Sequence, residues 1–181
     1  MNKCALLVVD VQTEFIRGEL YNKQKVIDNI KELISAARDN EIEVIYIRHV
    51  AKKYNQLENG TDELEIYSEI APNSGDKIFN KSYNSAFYKT GLKQYLESKS
   101  IDTIILVGIQ TEYCIDATCK SAFEYGFNVI IPEETNTTFD NEYLSGQKLY
   151  EFYNFNIWNK RFANVLPVEE VKKIITANRY T

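Results

Sequence analysis

Three residues far apart in the chain have the side chains for covalent acyl chemistry: a carboxylate at Asp10, an amine at Lys81 and a thiol at Cys114. A thiol becomes a nucleophile when a neighbouring base takes its proton, and a nearby cation stabilises the charges that result. Asp10 ends the apolar run Ala5-Leu6-Leu7-Val8-Val9, where a carboxylate is costly unless paired or solvated. Lys81 stands among uncharged neighbours in Asn80-Lys81-Ser82-Tyr83-Asn84. Cys114 follows the apolar run 101–107 through Gly108-Ile109-Gln110-Thr111-Glu112-Tyr113, on the first turn of a predicted helix. The helix dipole and free N–H groups there favour a thiolate and could hold an oxyanion. Each position also has an ordinary reading, as a small buried hydrophobe, a loop cap and a surface lysine. The convergence of three strand ends is what gives the set its weight.

The elements that must position these groups follow from the apolar pattern. Short continuous runs alternate with helix-period segments, the signature of βαβ units around a parallel sheet. Strands are expected at 5–9, 42–48, 76–79, 101–107, 127–131 and 163–166. Helices are expected at 23–40, 87–98, 114–125, from a cap at Asp140 to about Phe155, and after Pro167. Residues 50–75 are polar and weakly periodic, a loop long enough to be functional. One domain over residues 1–181 results, a three-layer αβα sandwich. In such sheets ligands bind beyond the carboxyl ends of the strands, where the strand order reverses.

Composition excludes several classes. The chain has 181 residues, 21 Lys plus Arg against 26 Asp plus Glu, and a net charge of −5. Without a basic run, nucleic acid is a poor partner. No apolar stretch approaches the roughly 20 residues of a membrane span. Residues 1–10 lack the features of a signal peptide, so a cytoplasmic location is expected. Cys4, Cys114 and Cys119 form no disulfide framework, and the single histidine, His49, excludes a multi-histidine zinc site. No Gly-rich nucleotide loop follows any strand.

The segments VVDVQTEF (8–15), KSYNSAF (81–87) and GIQTEYCIDATCKSA (108–122) together resemble the isochorismatase-like cysteine hydrolases, over nearly the whole chain and in the right order. The resemblance implies a six-stranded parallel sheet of order 3-2-1-4-5-6 and a triad of Asp10, Lys81 and Cys114. It also implies a cis peptide between Ile109 and Gln110, with an oxyanion held by the N–H groups of Gln110 and Cys114. The activity implied is hydrolysis of a small-molecule amide through a Cys114 thioester, with Asp10 as acid and base, Lys81 as electrostatic partner and no cofactor. Nicotinamidases of the family bind a metal through an Asp-x-His and further histidines. Here the matching stretch is Tyr46-Ile47-Arg48-His49, so no such metal is expected. Isochorismatases proper cleave a vinyl ether without a cysteine nucleophile, and Cys114 therefore favours C–N cleavage.

Phe15 is a candidate to cover a planar substrate, His49 to donate a hydrogen bond to it, and Tyr113 to line the mouth of the site. Phe15 and His49 each have a structural reading of equal standing. The aromatic cluster Tyr150, Phe152, Tyr153, Phe155 and Trp158 exceeds what one helix face buries, and is read as a subunit interface or a pocket wall supplied by a partner. The resemblance, to proteins that are commonly dimers or tetramers, implies the interface of a homodimer or homotetramer. The competing readings are a hydrolase of another acyl or imide bond, a catalytically silent scaffold, and a thiol redox sensor using Cys114.

Overall fold

The computed structural model describes residues 3–50 and 64–177. Its centre is a wholly parallel sheet built from β1 (Lys3–Val9), β2 (Glu43–His49), β3 (Lys77–Lys81), β4 (Ile101–Ile109), β5 (Asn128–Pro132), β6 (Asn136–Thr137) and β7 (Asn164–Leu166). The strand order is β3-β2-β1-β4-β5-β7, with β6 pairing the end of β4. This is the order implied by the resemblance, with one strand more than the six expected. The extra strand is two polar residues long and has no apolar alternation to announce it.

Alternate residues of β1 enter opposite cores, as a strand buried on both faces requires. Ala5, Leu7 and Val9 pack with Leu92, Leu96, Ile115, Ala122 and Trp158 on one side. Cys4, Leu6 and Val8 pack with Val26, Ile30, Leu33, Val171 and Ile175 on the other. The helices are α1 (Thr13–Arg17), α2 (Lys23–Asp39), α3 (Leu92–Ser98), α4 (Asp116–Glu124), α5 (Gly146–Glu151) and α6 (Val168–Ala177). Thus α2 and α6 cover one face, while α3, α4 and the segment ending at Trp158 cover the other.

Helix starts differ most from expectation. The helix expected from residue 87 starts only at Leu92, because Gly91 takes a left-handed conformation (φ +80°) just before it. The helix expected from Asp140 starts at Gly146. Asn141 Oδ1 accepts from the N–H groups of Tyr143 and Leu144, closing a turn that competes with the helix, and Ser145 is the cap. Asp140 instead accepts the Gly146 N–H at 2.7 Å. Beyond α5 the chain continues as a π-helical stretch, Phe152–Trp158. Of the aromatic cluster there, Trp158 and Tyr150 are core residues, and Phe152 and Phe155 are about half exposed. Of the predicted 50–75 loop, residues 51–63 lie outside the described part. Its end folds back on β1's exit through a Gln12–Ile66 bridge and a 3₁₀ turn at Ser68–Ile70.

Candidate active site

Register brings four strand ends to one rim. Val9 pairs with Ile47 on one side and Gly108 on the other, while His49 pairs with Lys81. The Val9–Gly108 approach is too close for any side chain: a Cβ on Gly108 would lie 2.0 Å from the Val9 carbonyl oxygen, and Gly108 has φ +133°. Glycine at 108 is therefore what lets β1 and β4 deliver their next residues side by side.

Asp10 leaves β1 with φ +53°, a left-handed conformation that is unfavourable for a residue with a side chain. Its N–H donates to Ile47 O and its carbonyl accepts from Gln12, so the backbone is held on both sides. The carboxylate is fully buried. Lys81, the last residue of β3, sends its ammonium to 2.6 Å from Asp10 Oδ2. The same Nζ donates to Cys114 Sγ (3.1 Å) and to Tyr83 O (3.0 Å), and lies 3.2 Å from His49 Nδ1. An ammonium has no lone pair, so His49 Nδ1 must be the acceptor, leaving its proton on Nε2. Burial, reinforced by the Lys81 charge, lowers the His49 pKa and keeps the ring neutral.

Cys114 sits in a π-helical turn, Thr111–Ile115, between β4 and α4. The Ile109–Gln110 peptide just before that turn is cis. The sequence pattern favoured a thiolate at a helix start. Instead burial, and next the Asp10 charge, push the Cys114 thiol up to about 12 against the opposing pull of Lys81. Desolvation and the neighbouring carboxylate outweigh the Lys81 charge and favour the thiol over the thiolate.

A buried scaffold holds these pieces, and the sequence reading missed it. Gln12, two residues after Asp10, donates to Leu64 O (2.6 Å) and His49 O (3.2 Å) and accepts the His49 N–H (2.8 Å). Thr118 of α4 accepts the Ala86 N–H, and Ser85 donates to Ser121, strapping the loop after Lys81 to the cysteine's helix. Thr111 donates to Asn136, which exchanges hydrogen bonds with Asn154. Nothing in the apolar pattern marks Gln12, three residues beyond β1, as part of this scaffold.

The softer site residues divide. His49 touches the Lys81 ammonium. Tyr113 is 51% exposed, next to Cys114. Phe15 is half-buried and packs against the core cluster that contains the apolar face of α2.

A parallel αβα sheet whose switch point carries an acid, an amine and a thiol in contact defines a class of cysteine-dependent α/β protein. The particular family follows from comparison. Residues 4–170 match the isochorismatase domain, and the chain belongs to the isochorismatase family. It is 28% identical over 138 residues to a streptothricin hydrolase of Streptomyces noursei, covering 75% of this chain but only half of that protein. It is 28% identical over 152 residues to nicotinamidase 3 of Arabidopsis thaliana, covering 76% and 75% of the two chains. A crystal structure of an isochorismatase family protein superposes with a TM-score of 0.84 at 27% identity, over 92% of this chain and 99% of that one.

Proposed function

We propose that this protein is a cofactor-free cysteine hydrolase that cleaves the C–N bond of a small amide. The observation that carries the reading is the single ammonium of Lys81 in contact with both the Asp10 carboxylate and the Cys114 sulfur, inside the fold. The names of two relatives, a streptothricin hydrolase and a nicotinamidase, point the same way.

A thiol held protonated needs a base at the moment of attack. Asp10 takes the Cys114 proton as the sulfur adds to the substrate carbonyl, while Lys81 balances the charge on sulfur and carboxylate in turn. The N–H groups of Gln110 and Cys114 hold the oxyanion, and losing one such donor costs about 3–4 kcal/mol of barrier. Asp10 then gives its proton to the leaving amine as the C–N bond breaks, forming the thioester. Water attacks the thioester with Asp10 again as base. The carboxylic acid leaves, and the sulfur regains its proton. His49, with Nε2–H as its only ring donor, is the group to hold a substrate acceptor, and Tyr113 flanks the entrance.

Ammonia release across a panel of small primary amides tests the proposal. Wild type is expected to turn over at least one of them, and Cys114→Ala none. Turnover by Cys114→Ala equal to wild type would refute it.

A further inference from the structure

Asp10, His49 and Cys114 present a carboxylate, an imidazole nitrogen and a sulfur, all within 4.8 Å of one another. All three converge on one point, and that point is occupied by the Lys81 ammonium, at 2.6, 3.2 and 3.1 Å. Both Asp10 carboxylate oxygens are buried, and beyond the Lys81 ion pair neither has a nitrogen or oxygen hydrogen-bond partner among the described residues. Tetrahedral zinc with these donor types places its ligands about 3.3–3.7 Å apart, so closing the set on an ion needs a tightening of up to about an ångström. We propose that these residues form a latent site for a zinc-class divalent ion, which Lys81 keeps shut by occupying it.

The charges balance. With Lys81 in place, its ammonium neutralises Asp10. Without it, a divalent ion neutralises Asp10 together with a Cys114 thiolate: the S–H bond breaks, one proton leaves to solvent, and a metal–sulfur bond forms. The donor set, one carboxylate, one neutral imidazole and one thiolate, leaves a fourth position open. His49 is already oriented for this role, since its Nδ1 lone pair points at the ammonium. The inference rests on geometry and holds whether or not the site hydrolyses amides.

Cobalt(II) serves as the probe, because a thiolate ligand gives it a charge-transfer absorption. Lys81→Met, and Lys81→Gln as a second variant that keeps a hydrogen bond for Tyr83 O, are titrated alongside wild type after far-UV circular dichroism confirms their fold. At least one folded variant is expected to bind one equivalent at least about tenfold more tightly than wild type, with the sulfur band and release of one proton. Adding Cys114→Ser is expected to remove the band, and adding His49→Ala to weaken binding by about tenfold or more. Folded variants that bind cobalt no better than wild type, or binding unchanged by His49→Ala, would overturn the proposal.

Discussion

The ammonium of Lys81 lies 2.6 Å from Asp10 Oδ2, and neither side chain has any solvent-exposed surface. The two residues come from strands separated by β2 in the sheet, so the pair ties three strand ends together. Removing one partner of such a buried pair strands a charge and costs about 3–5 kcal/mol, whereas removing both is far milder. Lys81→Met alone should therefore lower the urea midpoint strongly, and Asp10→Asn with Lys81→Met should recover most of the loss. Neither variant should hydrolyse amides. A double variant as unstable as the single one would show that the pair is not coupled as described.

Gly108→Ala probes the contact between β1 and β4. The new methyl would fall 2.0 Å from Val9 O and 2.8 Å from its carbonyl carbon, in a backbone conformation suited to glycine. Destabilisation of more than about 2 kcal/mol is expected, with activity falling further than stability because Asp10 and Cys114 separate. Thermal unfolding and turnover measured on the same preparation check both effects.

Gln12 is a positioning residue whose amide pins His49 beside the ammonium. Gln12→Ala leaves Leu64 O and the His49 N–H without their partner, at about 1–3 kcal/mol. It should also lower kcat. Gln12→Glu replaces the donating amide with oxygen facing two carbonyls, and should be the worse variant. If Gln12→Glu proves the milder, the role assigned to the amide is wrong.

Buried thiols set an alkaline limit on stability. Burial raises Cys4 to about 11 and Cys114 and Cys119 to about 12, from 9.0. Between pH 9 and 12 the unfolded chain releases thiol protons that the folded chain retains, so stability falls as pH rises through that window. Cys119→Ala removes one contributor, worth up to about 4 kcal/mol at the top of the window. The variant's denaturation midpoint should therefore decline less steeply between pH 9 and 11 than wild type's. Parallel slopes would contradict this.

The frame of the molecule was legible because β1, β2 and β4 each hold a continuous apolar stretch, at 5–9, 44–47 and 104–107, and the spacing of Val26, Ile30, Leu33 and Ala37 fits a helix with one buried face. Motif order then placed the acid, amine and thiol at neighbouring strand ends. Features set by polar side chains were not legible. The Asn141 turn that delays α5, the two-residue β6, and the network of Gln12, Thr118 and Asn136 carry no apolar period. The upward shift of the Cys114 thiol was also hidden, since desolvation depends on what packs around the sulfur, and local sequence shows only the helix start. Trp158 and Tyr150 misled in the opposite direction: their bulk suggested a surface, but the fold spends them on its own core.

The central claim is covalent catalysis at one sulfur. Mass spectrometry of protein quenched during turnover of an accepted amide tests it directly. The acyl group of the substrate should be found on Cys114 of wild type, labile to hydroxylamine as a thioester is, and absent from Cys114→Ala. An unmodified Cys114 throughout turnover, together with hydrolysis by Cys114→Ala, would contradict the account.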